Sequence, residues 1–492
     1  MTVDRRSISA PIDPSGLKFG PIWLTPGVTF INAWTLLLVA FFSIGLTSFI
    51  NVFQPYILTE HLGIPRGSLL EPGEQGQVTA LLSLTQEVIM LSLLIPIGMA
   101  ADKIGRRTIF ALGFFLLAVG FTLYPTATSL TQLIAFRFVY AIGAACVVAM
   151  LATTQADYPQ DASRGKMIGL TGVLQGIGVV SAILLLNQLP LFYRDIAESP
   201  IWAGRFSLWT VAAICLFVAL AARFGLKGGT PKEESKRESF VHLFGAGLKA
   251  GRNPRIALAY GAAMIARVYL VIVSNFFILW LVLSGVEPGL ETDAAQGQAG
   301  LFAAFVQICA VMFAPLAGYM IDKVNRVTAL CMAAGVAAVG YLSMGLVTEP
   351  LGPQMFIAGV FLGAGEISGI IASQALIGQE APERERGSVF GFFGFCGAAG
   401  IMIALGVGGY LFDNVARTGP FLFMGCANIL LLTIAIIVRI NWGESKKVAA
   451  AHDAPAAPLA QGGEVTPVLT ETAAAPSEAV TRESVPSNPK PS

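Results

Sequence analysis

Charge is what this chain has least of. Asp, Glu, Lys and Arg make up 12% of its 492 residues, about half the share of a soluble domain, which is roughly 25%. That deficit excludes an ordinary soluble fold. Histidine is almost as scarce: His61, His242 and His452 all lie outside the long apolar runs, so no histidine metal cluster or proton relay can assemble within them. The six cysteines, Cys146, Cys215, Cys309, Cys331, Cys396 and Cys426, fall one to a run; they read as small packing residues, not a disulfide framework or a metal site. A net charge of +1 gives no sign of a nucleic-acid partner, and none is expected. No cluster of nucleophile, base and metal ligands appears, so an enzyme, a metal and a cofactor are not expected. No ATP-binding motif is present either, which argues against a primary pump. Gly363 to Gly369 only superficially resembles a nucleotide loop and lies inside an apolar run.

What the chain has instead is hydrophobic length. Hydrophobic residues make up 55% of it, in blocks of about 18–28, the length a helix needs to cross roughly 30 Å of hydrocarbon. Twelve blocks are read, at 30–58, 77–100, 108–125, 131–156, 166–190, 205–224, 256–284, 298–320, 328–347, 354–378, 388–411 and 420–442. The expectation is an all-α membrane protein with twelve transmembrane helices. One side receives Arg5, Arg6, Lys18, Lys103, Arg106, Arg107, Arg164, Lys166, the basic loop from Arg223 to Arg255, Lys323, Arg326, Arg384, Arg386, Lys446 and Lys447. The other receives Arg66, Arg194, Arg205 and Arg417. By the positive-inside rule both termini are cytoplasmic. The first run is too long, and too far from the N-terminus, for a cleaved signal.

A short charged phrase occurs twice. Gly98, Asp102, Lys103 and Arg106, followed by Arg107, recur in spacing as Gly318, Asp322, Lys323 and Arg326, about 220 residues on. Gln75-Gly76-Gln77 returns as Gln296-Gly297-Gln298, and Arg164-Gly165 with Gly169 as Arg386-Gly387 with Gly391. Three matches in one order indicate a six-plus-six duplication. The expected organisation is a cytoplasmic lead (1–28), a six-helix bundle (29–224), a cytoplasmic central loop (225–255), a second six-helix bundle (256–442) and a disordered cytoplasmic tail rich in Ala, Pro, Glu, Thr and Ser (443–492). Phe240 to Leu248 has helical apolar spacing beside Lys236, Arg237 and Lys249, which fits a basic amphipathic helix on the membrane face or a plain solvated connector.

Over roughly residues 28–442 these features resemble the major facilitator superfamily, whose signature loop between helices two and three is matched by Gly98 to Arg107 and repeated between helices eight and nine. The resemblance implies two six-helix bundles rocking about a central cavity lined by helices one, four, seven and ten. A carboxylate at Asp102 or Asp322 can accept hydrogen bonds from a neighbouring helix N-terminus and pair with Arg106, Arg107 or Arg326, while Gly98 and Gly318 permit close approach. These residues are expected to latch one conformation. Asp157 with Arg164, and Glu380 with Arg384 and Arg386, form either a matching inner gate or plain interfacial charges.

Four charges lie within the apolar runs, where each costs at least about 2.5–3.5 kcal/mol. Counting 1.5 Å per residue, Arg267 lies about 16 Å into the seventh run and Glu366 about 18 Å into the tenth. Glu87 is similarly deep in the second, and Arg137 stands in the fourth at the place of the superfamily's helix-four arginine, with Ala141 where a glycine commonly follows. Arg137, Arg267, Asn51, Gln54 and Asn275 are the expected substrate-binding set. Glu366 and Glu87 are the expected proton-coupling set. In the preferred mechanism Glu366 pairs with Arg267 and titrates, releasing Arg267 to an anionic substrate; the alternative is a static ion pair. Glu87 is read as a second proton site or a structural hydrogen bond.

The fifth run lacks the Gly-Pro signature of the superfamily's drug antiporters (Ile177 takes the proline's place), and the first run has no acidic residue. The expected function is proton-coupled symport of a small organic anion by alternating access. The alternatives are a proton-coupled drug or metabolite efflux antiporter, or a non-transporting membrane sensor of the same fold. The expected partners are a small-molecule substrate and the lipid bilayer, with the chain a monomer in a bacterial inner membrane and a proton gradient as driving force.

Overall fold

The computed structural model describes residues 13–64, 73–160, 163–229, 240–382 and 385–443. They belong to one body, Met1–Glu444; the expected tail falls in a separate unit, Ser445–Ser492, outside the described residues, as does Arg384.

The body is helical because its apolar runs must satisfy every backbone N–H and C=O internally where no water reaches. A small antiparallel hairpin, β1 (Lys18–Phe19) and β2 (Ile22–Trp23), precedes the helices. The first half then holds α1 (Phe30–Tyr56), α2 (Gln75–Ile104), α3 (Arg106–Leu123), α4 (Leu130–Asp157), α5 (Arg164–Ser181), the short α6 (Leu189–Tyr193) and α7 (Pro200–Gly225). Helix α8 (Phe240–Ala250) occupies the connector, where Phe244 meets Phe392 and Phe395 edge-on with ring centroids 5.0 and 5.2 Å apart. The amphipathic pattern there forms a helix rather than an irregular linker.

The second half departs from expectation at its first crossing. The seventh run is divided into α9 (Pro254–Ala266), α10 (Val268–Ile272), a π turn (Val273–Phe277) and α11 (Ile278–Val286). Eleven described helices, not twelve, are each long and apolar enough to cross a membrane, because this run is interrupted at Arg267. A π turn leaves the regular i−4 ladder, and Asn275 within it turns its amide back to the Val271 carbonyl at 2.8 Å. The series closes with α12 (Thr292–Lys323), α13 (Arg326–Ser343), α14 (Pro353–Glu380), α15 (Arg386–Asn414) and α16 (Gly419–Trp442).

Packing repeats as the sequence does. Helices α1 to α5 and α7 pack among themselves, as do α9 and α12 to α16; α2 with α15, and α5 with α12, join the halves. The tightest crossings are at glycines. A Cβ on Gly178 would lie 1.7 Å from the Phe41 carbonyl oxygen, and one on Gly400 1.9 Å from that of Met264. Gly143 meets the Gly113 carbonyl oxygen and Gly365 the Ala337 backbone in the same way, at 2.8 and 2.5 Å. Gly400 and Gly365 each stand 222 positions beyond their counterparts, so the duplication is one of helix crossings as well as of loops.

Asp13 and Gly443 lie at the same end of the body, here called the near end: Gln160 after α4 accepts from the Asp13 N–H at 2.9 Å, and Arg255 in the first turn of α9 donates to the Gly443 carbonyl at 3.0 Å. The charged α2–α3 and α12–α13 turns are also there. Gly105, at φ +97°, makes the first turn in the left-handed region that favours glycine. The second turn has no such glycine; Asn325 caps α13 instead, accepting from the Val327 N–H at 2.9 Å.

A polar cleft between the halves

The two halves touch at the far end. Asp413 of α15 accepts from the N–H groups of Gly76 and Gln77 at 2.9 and 2.7 Å. Gln188 donates to the Gly297 carbonyl at 3.0 Å, and Gln296 donates to Asn187 and to the Val52 carbonyl at 2.9 and 2.8 Å. Arg194 pairs with Glu291 and, at 3.6 Å, with Asp293, while Thr292 donates to Glu60. Glu60, Arg194, Glu291, Thr292 and Asp293 line a cavity of about 470 Å³ together with Glu198 and Ser199.

Toward the near end the contact is lost. The α2 face that meets α15 at Gly76 and Ala80 continues through Leu91 and Leu94, which are exposed, to Gly98, which has nothing within 4 Å. Gly387, Gly391 and Gly394 on α15 are equally open. The halves therefore form a cleft that closes at the far end and widens at the near end.

The roof of the cleft is a hydrogen bond between halves: Ser83 of α2 donates to the Asn275 oxygen at 2.7 Å. One turn nearer the opening on α2 stands Glu87, half-buried, and two turns nearer on the opposite wall stands Arg267. Arg267 is exposed at the break between α9 and α10, its stem against Gly397, where a Cβ would come within 2.7 Å of it. Arg267 and Arg137 are the cations whose fields reach Glu87.

The other intramembrane charges are inside the walls. Arg137 is 0% exposed; it donates to Asn51 of α1 and lies 5.9 and 5.6 Å from the ring centres of Tyr124 and Tyr140. Its Nε and Nη1 are buried without a hydrogen-bond partner, as is Nε2 of Gln54, whose oxygen accepts from Tyr124 at 3.4 Å. Glu366, 2% exposed, accepts from Gln307 of α12 at 3.4 Å, with Tyr269 and Tyr341 within its field. The expected Glu366–Arg267 pair is not formed: Arg267 is exposed on the cleft side of the seventh segment, while Tyr269 is buried. Tyr269 in turn donates to Asn428 of α16.

At the near end the pairings also differ from those expected. Asp157 pairs with Arg106 rather than with Arg164, which donates to the Ala156 carbonyl at 3.2 Å. Asp102 lies within the field of Arg106, and the Arg107 guanidinium lies against Gly228 just past α7. Arg326 caps the end of its own preceding helix, donating to the Ile321 carbonyl at 2.6 Å. Glu380 faces Arg255 at 3.8 Å, and Arg386 lies 5.9 Å from the ring centre of Phe390. Gly318 is open, and Asp322 sits in the last turn of α12.

Sequence reasoning missed Ser83, Tyr269, Tyr341 and Asp413, and the β-hairpin, which Gln160 and Ser163 hold against the α4–α5 link through bonds of 2.9 Å to Leu24 and Trp23. Gln307 stands 220 positions beyond Glu87, and that place in the repeat is its sequence signal. A signal existed for Asp413: a carboxylate at the C-terminal end of its own helix is unfavourable to the helix dipole and needs a partner elsewhere. Among the described residues no group of three or more His, Cys, Asp or Glu could hold a metal ion.

The family model described as Major Facilitator Superfamily matches residues 36–287 and again 268–473. The chain is 25% identical to magnetosome protein MamH of Paramagnetospirillum magneticum over 73% of this chain and 83% of that one. It is 24% identical to magnetosome protein MamZ of the same organism, over 79% of this chain and 60% of that longer one. Riboflavin transporter RibZ of Clostridioides difficile is 28% identical over 41% of each. Among solved structures, nucleoside transporter NupG superposes with a TM-score of 0.64 at 13% identity, over 83% of this chain and 99% of that one. A bacterial homologue of the human lysosomal transporter Spinster, inward-facing and unoccupied, gives 0.57 at 18% identity over 82% and 94%.

Proposed function

The chain belongs to the Major Facilitator Superfamily, and from that premise we propose that it is a secondary carrier importing a small organic anion with protons. The near end faces the cytoplasm of a bacterial inner membrane, the interrupted seventh segment makes the twelfth crossing, and both termini are cytoplasmic. Positive-inside bias supports this orientation. The cleft widening at the near end is then the inward-facing state of an alternating-access cycle.

The observation that carries the cargo class is the exposure of Arg267 at a break in the seventh segment, at the cleft wall near the midplane. A cation in that position is expensive unless an anion answers it. Glu87 on the facing wall is its counter-charge while the site is empty. An entering carboxylate or phosphate takes the guanidinium in a bidentate pair, and protonation of Glu87 removes the competitor. Glu366 is a second proton site behind the wall, acting on the same segment through Tyr269. Each proton entering down 100 mV supplies about 2.3 kcal/mol. The name of RibZ, which says that it transports riboflavin, supports an organic cargo.

The test is uptake into proteoliposomes of a panel of mono-, di- and tricarboxylates and organic phosphates, with and without an inward proton gradient. At least one anion should accumulate above equilibrium, and Arg267→Ala should weaken its apparent affinity at least tenfold. Accumulation unaffected by a protonophore would eliminate proton coupling. Transport confined to cations or neutral drugs would eliminate the anion reading.

A further inference from the structure

Asp413 carries a role the cleft does not explain. It stands one residue before the end of α15, where the helix's own dipole disfavours a negative charge. The start of α2 has the complementary deficit: Glu74 at its N-cap makes no side-chain bond to the open N–H groups of the first turn. The two deficits answer each other. Asp413 Oδ1 accepts from the Gly76 N–H at 2.9 Å and Oδ2 from the Gln77 N–H at 2.7 Å. One carboxylate thus caps a helix in the other half of the molecule.

The packing around this cap requires close approach. A Cβ on Gly76 would lie 2.8 Å from Asp413 Oδ1 and 2.8 Å from the Phe412 ring. From the other side, a Cβ on Gly409 would lie 2.7 Å from the Ala80 Cβ and 2.9 Å from the Gly76 carbonyl oxygen. The same two helices stand apart at their near ends, where Gly98, Gly387, Gly391 and Gly394 meet nothing within 4 Å. The cap can therefore exist only while the far end is shut. A residue capping its own helix would make the same bonds in every state.

We propose that Asp413 is a positioning residue of the transport cycle, a cap supplied in trans that holds the far end closed and is broken each time α2 and α15 part there. This rests on the alternating-access reading above. Asp413 works at the opposite end of α2 from the latch expected at Asp102, so the ends of one antiparallel helix pair are governed separately. Removing the cap shifts the molecule toward a far-open, near-closed state.

The test is amide hydrogen exchange on the full chain in lipid nanodiscs, comparing the parent with Asp413→Ala and Gly76→Ala. The second variant wedges the same contact apart without touching the charge, and is read if Asp413→Ala fails to fold. Loss of a helix cap changes such an equilibrium about fivefold to thirtyfold. Exchange at residues 75–80 should accelerate by that factor in either variant, while exchange at 386–394 slows. Unchanged exchange at both ends overturns the proposal. So does acceleration at 75–80 alone, which would make Asp413 a local cap without influence on the cycle. The readout needs no cargo: a shift at both ends in a chain that transports none of the panel leaves the cap standing and sinks the organic-anion reading. Transport without the shift sinks only the cap.

Discussion

At the scale of single residues, the cleft turns on one exposed cation and the walls on a few glycines. A hydrogen bond to a charged group is worth about 1.5–3 kcal/mol, so Arg267→Ala should weaken apparent affinity for an anionic cargo at least tenfold in proteoliposome uptake. Arg267→Lys keeps the charge but not the bidentate geometry, and should recover part of the loss. Gly400→Ala should destabilise the body by about 1–3 kcal/mol, because its Cβ would sit 1.9 Å from the Met264 carbonyl oxygen and force the crossing apart. Gly406→Ala, in open space on the same helix, should leave the melting midpoint in detergent unchanged or slightly raised. Equal midpoints for the two variants would contradict the crossing argument. The depth of Arg267 and Glu366 was legible from sequence, since it follows from 1.5 Å per residue. Their partners were not. Pairing depends on helix rotation, which faces Arg267 to the cleft and leaves Glu366 to Gln307.

Among the helices, the divided seventh segment carries most of the site. It places Arg267 at one break and Asn275 in a π turn, with Ser83 donating to the Asn275 oxygen across the halves at 2.7 Å. Such bonds inside membranes average about 0.6 kcal/mol. Asn275→Ala should therefore shift the balance between far-closed and far-open states only about threefold, read as faster exchange at residues 75–84. A larger change would mean that the roof, not the cap at Asp413, holds the far end. Long uninterrupted helices were readable because an apolar run of sufficient length has one solution in lipid. The interruption was not: Arg267 and Asn275 stand at it, but a polar residue within an apolar run does not by itself divide a helix. The β-hairpin was hidden for a different reason: two strands of two residues each carry no usable period.

For the molecule as a whole, duplication was the most secure inference, and the structure extends it from the charged turns to the glycine crossings. Spin labels at Gly98→Cys and Gly391→Cys, on facing helices at the open end, should report a long distance without cargo and a shorter one when a transported anion is added. No shortening with any transported anion would remove the rocking motion between these helices. The direction of opening could not be read from sequence, since both states share one chain and differ only in which ends of α2 and α15 touch.

The cap at Asp413 also bears on how the molecule is made. Its acceptor is 337 positions beyond the N–H group of Gly76 that it receives. During synthesis α2 enters the membrane with its first turn unfinished, and it stays so until the penultimate crossing is in place. The first half can assemble early, but its second helix is completed almost last, so a chain truncated before Asp413 cannot finish that helix start in any state.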